Sequence, residues 1–339
     1  MTIAPSPSST DALPAIKHDY LPVLLPIALS ALALPFVGNP TTWVTLTVAA
    51  LAMGMMIFVI ASGLTLVFGL MDVLNFGHGA FIAVGAYLAM SVLILLSGWV
   101  QVDSLGWNLM ALGLAVIVAM IGTGALGWAF ERIIVKPVYG QHLKQILITM
   151  GGMIVAEQLI HVIWGGDQKA MALPTGLRGA VVFGDFAIEK FRILAVVVGL
   201  VVFAVKMIVL NRTRIGLLIR AGVENSEMVE ALGYRIRRLF VGVFVVGSAL
   251  AGLGGVMWAL YRETLTAAIG GDVMVLVFIV IIIGGLGSVG GCFIGAILVA
   301  MMANYTAFLL PKLALASNIL LMVAILMWRP QGLYPVAKR

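Results

Sequence analysis

Of the 339 residues, 62% are hydrophobic and only 10% are charged, and the mean hydropathy is +1.15, whereas about a quarter of a soluble domain is charged. This composition excludes a soluble globular protein and indicates a polytopic membrane protein. The net charge of +6 comes with few aromatic residues among the basic ones, so nucleic acid is excluded as a partner.

The polar stretch at residues 1–18 is rich in serine and proline, a composition typical of a disordered tail. Ala31 and Ala33 follow an apolar run with the spacing of a signal-peptidase site. Nearby acidic residues offset Lys17 and prolines interrupt the apolar run, which argues against a secretory signal. We therefore expect residues 19–339 to form a single transmembrane domain behind a disordered tail.

Ten apolar runs are candidate membrane spans, because a helix that crosses the hydrocarbon core needs about 20 apolar residues. They cover residues 21–37, 43–69, 74–97, 107–130, 145–164, 191–210, 239–260, 272–283, 291–310 and 312–328. The first run contains three prolines, and the eighth is too short for a perpendicular crossing. The sequence thus predicts an all-α membrane protein with eight to ten transmembrane helices.

The distribution of lysine and arginine predicts the orientation, because cytoplasmic loops carry an excess of both. If all ten runs cross, 14 of the 20 basic residues fall on one side: Lys17, Arg132, Lys136, Lys144, Lys206, Arg212, Arg214, Arg220, Arg235, Arg237, Arg238, Arg329, Lys338 and Arg339. The other six are Lys169, Arg178, Lys190, Arg192, Arg262 and Lys312. This excess predicts that both termini are cytoplasmic.

The stretch GLMDVLNFGHGAF, residues 69–81, interrupts the apolar pattern between the second and third runs. It contains Asp72, Asn75, His78 and three glycines, and each glycine weakens a helix by about 1 kcal/mol relative to alanine. A broken helix that lines a cavity would explain both features. A turn at the inner membrane face is the alternative, and the two interpretations merge if the turn dips into the membrane. The three polar residues are candidates for a translocation pathway.

Glu157 and His161 add a second polar pair at membrane depth, four residues apart and therefore on one helix face. They are further pathway candidates, and a hydrogen bond or ion pair between helices is the alternative. Small residues recur in the seventh run: Ser248, Ala251, Gly252 and Gly255. Their spacing favours close helix packing rather than a substrate role.

The loop at residues 211–238 contains six arginines and a short amphipathic pattern. Asn225 or Ser226 is a suitable N-cap and Gly233 a suitable end, while Met228 and Leu232 share one face. Acidic residues suit the first turns of this helix: Glu224, Glu227 and Glu230. The pattern predicts a short helix outside the membrane, and a solvated topogenic loop is the alternative.

A second glycine-rich stretch, GGLGSVGG, spans residues 284–291 and predicts a re-entrant or discontinuous element. Its glycines are Gly284, Gly285, Gly287, Gly290 and Gly291. An offset of 216 places Gly69 over Gly285 and Val73 over Val289. This match suggests an internal repeat with broken segments in corresponding positions, a pattern that marks the substrate path in transporters. Chance similarity in a chain so rich in these residues is the alternative.

Several motifs of catalysis and cofactor binding are missing from the sequence. No GxxxxGK[ST] loop is present to hold a nucleotide, and no GxSxG motif accompanies Ser62 and His78. A single cysteine, Cys292, excludes an intramolecular disulfide, and the cysteine and histidine spacing suggests no metal site. We expect a protein that is not an enzyme and binds no cofactor of its own.

Several segments resemble the permeases of branched-chain amino acid ABC importers, most closely the LivH type. The matching segments are SGLTLVFGLMDVLNFGHGAFIAVGAYLA, ERIIVKPVYG, FVVGSALAGLGGVMWA and IIIGGLGSVGGCFIGAILVA, and they occur in the order of the family. The loop also resembles the cytoplasmic coupling loop of that family through Gly216, Arg220, Ala221, Glu224, Ala231, Leu232 and Gly233. The resemblance covers most of residues 45–330, and the segment before residue 40 departs from it.

This resemblance implies a permease in the bacterial inner membrane that works with a second, LivM-type permease, two ATPase subunits that use ATP, and a periplasmic binding protein. The residues it implies for ATPase coupling are Arg220, Glu224, Glu227, Glu230, Leu232 and Gly233. Branched-chain amino acids are the expected substrates, and urea, short amides or aromatic acids are alternatives within the family. A self-sufficient channel or secondary transporter is the alternative of a different class.

Overall fold

A computed structural model describes residues 20–184, 186–224 and 226–334; the predicted disordered tail lies outside them. The described residues form thirteen α-helices: α1 Leu21–Val37, α2 Pro40–Met71, α3 His78–Leu95, α4 Ser97–Gln101, α5 Leu105–Phe130, α6 His142–Trp164, α7 Lys190–Arg212, α8 Arg214–Glu224, α9 Ser226–Ala231, α10 Ile236–Arg262, α11 Ile269–Gly284, α12 Val289–Leu309 and α13 Ala314–Trp328. A π-helical turn, Glu131–Val135, and a 3₁₀ turn, Lys136–Val138, extend α5.

Four short strands form two antiparallel pairs. Strand β1, Lys169–Ala170, pairs with β4, Thr264–Leu265, and β2, Ala180–Phe183, pairs with β3, Phe186–Glu189. The strands contribute little to the bundle, so the prediction of an all-α membrane protein is confirmed.

All ten predicted spans are helical. Among the described residues, seven helical segments are long and apolar enough to cross a membrane. The other three, α1, α11 and α13, have 17, 16 and 15 residues. At 1.5 Å per residue, α11 is about 24 Å long and does not span the hydrocarbon core of about 30 Å. Both α11 and α13 are therefore shorter than the hydrocarbon core is thick.

Contacts between helix ends show that the loops joining the helices lie on two opposite faces of the bundle. Residues 72–77, 131–141, 213–224, 226–235, 285–288 and 329–334 make up the basic face. The opposite face comprises residues 38–39, 96–104, 165–184, 186–189, 263–268 and 310–313. The pairing of β1 with β4 joins two of its connections, and backbone bonds from Leu333 to Ile283 and from Tyr334 to Gly284 join two on the basic face. The helices therefore alternate between faces in chain order.

Close glycine contacts hold α2, α3 and α10 together at the centre of the bundle. A Cβ built on Gly85 would lie 2.5 Å from the Cα of Gly252, and one built on Gly247 would lie 2.9 Å from the carbonyl oxygen of Gly63. Ser248 and Ala251 are also buried, and a Cβ built on Gly127 of α5 would lie 2.5 Å from the Cβ of Ser248. The helix-packing role predicted for the small residues of the seventh run is thus confirmed.

Candidate functional site

Two helix breaks meet on the basic face. Helix α2 ends at Met71, where Asp72 adopts a left-handed backbone with a φ of 50°, and α11 ends before Gly285 and Gly287, with φ values of 95° and 84°. A Cβ built on Gly69 would lie 2.6 Å from the Cα of Gly287, so α2 touches the second break directly. The sequence repeat itself stays a prediction, but the two segments it matches lie side by side.

The second break is shorter than the glycine-rich stretch predicts. Gly284 closes α11, and Gly290 and Gly291 lie inside α12, because the Ser288 hydroxyl caps α12 by accepting a hydrogen bond from the Gly291 amide at 3.1 Å. Gly284 and Gly291 instead allow close approach, since a Cβ on Gly284 would lie 2.5 Å from the backbone of Gly291. The discontinuity is confined to residues 285–288.

The structure separates the three polar residues of the first break. Asp72 is exposed, and its Oδ2 lies 3.8 Å from Nε2 of His142. Asn75 and His78 are buried, and His78 Nε2 lies 3.1 Å from the carbonyl oxygen of Ile60 in α2. The stretch is thus a turn that begins at the basic face and then enters the core of the bundle. Its role in lining a pathway stays a prediction.

Asn75 is the least satisfied of the buried polar side chains. It is 1% exposed, and neither amide atom has a hydrogen-bond partner among the described residues; the same is true of Nδ1 of His78 and Oε1 of Gln145. The amide of Phe76 donates to Thr149 Oγ1 at 3.1 Å, which attaches this turn to α6. An unsatisfied buried group costs about 1–3 kcal/mol, so these atoms are suited to bind water or a polar solute.

Glu157 lies further along the same interface, in a narrow cleft between α3, α6 and the start of α11. The cleft is lined by Gly79, Ala80, Ala83, Met153, Glu157, Ala267, Gly270 and Gly271. In the part of the chain that the structure describes, no hydrogen bond or ion pair joins Glu157 to His161 or to another residue. The alternative of an interhelical ion pair at this position finds no support in the described residues.

Lys206 is a buried charged residue that the sequence indicates only as a topological signal. Its side chain is 6% exposed, and Nζ donates to the carbonyl oxygen of Ser62 at 2.6 Å. It also interacts electrostatically with His78 of α3 and Cys292 of α12. The sequence could have indicated a buried polar contact here, because Lys206 lies within the apolar run of α7 and a charge at membrane depth is costly unless it has partners.

One turn of α2, residues 60–63, receives contacts from three helices. The carbonyl oxygen of Ile60 is in hydrogen-bond contact with Nε2 of His78 in α3. The carbonyl oxygen of Ser62 accepts a hydrogen bond from Lys206 of α7. Gly63 packs against Gly247 of α10. Helices α7 and α10, which flank the loop at residues 213–235, therefore both contact the same turn of α2.

The loop contains two helices, α8 and α9, where the sequence predicts one. The predicted N-cap Asn225 lies outside the described residues, and nothing is described of the side chains of Glu224 and Glu227. Gly233 ends the helical segment with a φ of 87°, as predicted. Buried Val229 anchors α9, so the predicted short helix is present at Ser226–Ala231, while its role in coupling stays a prediction.

Exposed apolar side chains cover α9 and the residues after it, although this segment lies outside the membrane spans. Met228 is 61% exposed, Leu232 is 70% exposed, and Tyr234 is also exposed. Glu230 is exposed beside them, and Arg220 of α8 is exposed with its Nε donating to the carbonyl oxygen of Gly216 at 3.4 Å. An exposed apolar group with a charged border is typical of a protein docking surface.

Comparison with known proteins gives consistent matches across most of the chain. The family model described as branched-chain amino acid transport system / permease component matches residues 46–328. The high-affinity branched-chain amino acid transport system permease protein BraD of Pseudomonas aeruginosa is 30% identical over 294 residues, which cover 84% of this chain and 94% of BraD.

Two further relatives come from Escherichia coli K12. The permease protein LivH of the high-affinity branched-chain amino acid transport system is 27% identical over 281 residues, covering 81% of this chain and 89% of LivH. The permease protein LivM of the same named system is 27% identical over 361 aligned residues, covering 96% of this chain and 78% of LivM. No solved structure matches the chain significantly.

Proposed function

The chain belongs to the branched-chain amino acid transport permease family, and on that premise we propose that it carries branched-chain amino acids into the cytoplasm as the membrane subunit of an ABC importer. It is a multi-pass membrane protein whose family is one of transport permeases. The proposal assigns it no catalytic reaction and no cofactor, with ATP used by separate subunits.

The proposed assembly places this chain beside a second, LivM-type permease. Its similarity to both LivH and LivM supports a permease pair in an ABC transport system. Two ATPase subunits and a periplasmic binding protein complete the proposed importer. In this assembly the basic face is cytoplasmic and the chain resides in the bacterial inner membrane, because most lysines and arginines lie on that face.

The observation that carries the proposal is the exposed apolar surface of α9. An ATPase groove that covers Met228 and Leu232 would remove this surface from water, and Glu230 and Arg220 would border the contact. The proposed ATPase-contacting residues also include Glu224, Glu227 and Gly233. A channel or secondary transporter has no need of such a surface outside the membrane.

Movement of the docked loop would reach the membrane core through α7 and α10. Both helices hold α2 at residues 60–63, and the inner end of α2 touches the second break through Gly69 and Gly287. Displacement of α7 therefore shifts α2 and separates or closes the two breaks. The proposed pathway begins at these breaks, where Asp72 marks its exposed mouth. Asn75 and His78 follow inside the bundle, and Glu157 and His161 lie beyond them toward the opposite-face end of α6.

A co-purification experiment with a double variant tests the docking surface. Met228→Asp with Leu232→Asp places two charges in the proposed apolar contact, and we expect ATPase subunits to be lost from the purified complex. Val182→Asp is the matched control, because Val182 is 70% exposed but lies on the opposite face. An ATPase that stays bound to the double variant as tightly as to the control contradicts the proposal.

Uptake into proteoliposomes tests the transport class and the substrate. Leucine uptake should require ATP and the ATPase subunits, and valine and isoleucine should compete with it. Uptake by the permease alone would identify a channel or secondary transporter instead. Competition by urea, short amides or aromatic acids without competition by valine would replace the proposed substrate class.

A further inference from the structure

An open groove runs along the outer surface of the bundle between α5 and α10. It has a volume of about 450 Å³ and is lined by Met120, Ile121, Gly124, Ala125, Trp128, Val245, Val246 and Ala249. The small residues Gly124, Ala125 and Ala249 form its floor, while Ile121 and Trp128 are exposed at its edges. The groove is therefore an apolar depression on the lipid-facing surface of the bundle.

The groove is confined to one leaflet. Its lining on α5 extends from Met120 to Trp128, a rise of about 12 Å, whereas half of the hydrocarbon core measures about 15 Å. Both Trp128 and Val245 lie toward the basic-face ends of their helices. A partner helix would require an apolar groove through the whole membrane, but a single acyl chain requires only this length.

Two exposed arginines continue the walls of the groove toward the basic face. A Cβ on Gly124 would lie 3.4 Å from Val245, and one on Gly127 would lie 3.7 Å from the carbonyl oxygen of Phe244. Helices α5 and α10 are therefore antiparallel here. Arg132 follows Trp128 by four residues and Arg238 precedes Val245 by seven, so the two arginines lie at a similar level. Both arginines are exposed, and neither forms an ion pair within the described residues.

The acidic residue that precedes Arg132 in the chain contacts Tyr139 through its side chain and forms no ion pair with an arginine among the described residues. Glu131 is buried, and its Oε1 accepts a hydrogen bond from the Tyr139 hydroxyl at 2.7 Å. Burial and this hydrogen bond raise the pKa of Tyr139 above its ordinary value, so the phenol remains a donor. Arg237 also lies close enough to Tyr139 to interact electrostatically. Arg132, Arg237 and Arg238 outnumber this one carboxylate, so the end of the groove carries an excess of positive charge.

We propose that this groove is a binding site for one anionic phospholipid of the leaflet on the basic face. An acyl chain lies between α5 and α10, and Arg132 and Arg238 bind the headgroup phosphate through charge-assisted hydrogen bonds. A zwitterionic lipid offers the same chain and phosphate but adds a positive group, which the surrounding arginines repel. The site is independent of the transport function and of the substrate.

Native mass spectrometry of the full-length chain tests the site. The chain is purified with its associated subunits and equilibrated in nanodiscs that contain equal amounts of phosphatidylglycerol and phosphatidylethanolamine. We expect one phosphatidylglycerol to be retained per chain, and about tenfold lower retention in the double variant Arg132→Gln, Arg238→Gln. The double variant Arg212→Gln, Arg214→Gln is the charge-matched control, because both arginines are exposed on the same face where α7 ends and α8 begins.

A second pair of variants tests the acyl-chain contact. Ala249→Phe fills the floor of the groove and should reduce retention, whereas Ala204→Phe, on the exposed surface of α7, should not. Equal retention of phosphatidylglycerol and phosphatidylethanolamine would overturn the proposed site. So would unchanged phosphatidylglycerol retention in both Ala249→Phe and the double arginine variant. A disulfide or crosslink from Ala249→Cys to a second permease subunit would also overturn it, since the groove would then be a subunit interface.

Discussion

Lys206 of α7 donates a hydrogen bond from Nζ to the backbone carbonyl oxygen of Ser62 in α2, across 2.6 Å. A charged residue inside the membrane is costly unless it has partners, and from this bond we infer a role for Lys206 in coupling α7 to α2. Six residues after Lys206, α7 ends and the loop with α8 and α9 begins. The bond therefore joins the proposed docking loop to the central helix.

Replacement of Lys206 by methionine tests this connection. Methionine has a similar length and no charge, so we expect Lys206→Met to insert and assemble normally while leucine uptake falls about tenfold, which corresponds to about 1.4 kcal/mol. ATP hydrolysis should continue at its basal rate and lose its response to the binding protein. The ratio of stimulated to basal ATPase activity separates lost coupling from simple misfolding.

Ala204→Met provides the matched control, because Ala204 is exposed on the membrane-facing side of the same helix. Normal coupling in Lys206→Met would show that the hydrogen bond only anchors α7. Loss of coupling in both variants would instead point to a general disturbance of α7.

The contact between the two breaks gives a second prediction. Gly69→Ala places a Cβ 2.6 Å from the Cα of Gly287, so the backbone of one of the two segments must move. We expect this substitution to lower the free energy of unfolding by about 1–3 kcal/mol and to impair uptake. Gly113→Ala is the control, since a Cβ there meets no atom within 4 Å, and alanine should stabilise the helix slightly. Thermal unfolding in detergent and uptake measure both effects. Equal melting temperatures for the two variants would contradict close packing at the breaks.

Much of the fold follows from the length and spacing of the apolar runs, because a bilayer permits few structures besides helices. The break after Met71 was predictable because polar residues and glycines coincide there. The limits of the second break were not, since the Ser288 cap that brings Gly290 and Gly291 into α12 is decided by local hydrogen bonding. Glycine density alone overestimates the length of such a break.

The candidate site was only partly predictable for a different reason. Asp72 and His78 lie close in sequence but differ in burial, because the left-handed residue Asp72 turns the chain before it enters the core. The partnership of Lys206 with Ser62 joins positions 144 residues apart. A single sequence contains no signal for contacts of that kind.

A third prediction concerns Gly233, which ends the helical segment of the docking loop with a φ of 87°. A β-branched residue is strongly disfavoured in this conformation, whereas asparagine tolerates it. We expect Gly233→Val to lower ATPase co-purification severalfold and Gly233→Asn to retain most of it. A Cβ at this position meets no atom within 4 Å, so the difference reports backbone conformation rather than a clash. Equal binding by both variants would show that the turn is not required for docking.

The last prediction separates a transport role of Asn75 from a structural one. Neither of its amide atoms has a partner among the described residues, so replacement by alanine removes an unsatisfied buried group and should leave the free energy of unfolding within about 1 kcal/mol of the wild type. We nevertheless expect uptake to fall about tenfold, because a solute that passes the break loses its polar contact.

Asn108→Ala provides the opposite case. The Asn108 amide donates to the carbonyl oxygens of Trp99 and Val102 at 2.7 and 3.0 Å and accepts from the Gly176 amide, so its loss should cost about 1–3 kcal/mol. It lies at the opposite face, away from the two breaks, and the protein that remains folded should transport normally. Thermal unfolding and uptake per folded molecule would therefore change in opposite ways in the two variants. If Asn75→Ala were strongly destabilised yet transported at the normal rate per folded molecule, Asn75 would serve the fold and not the pathway.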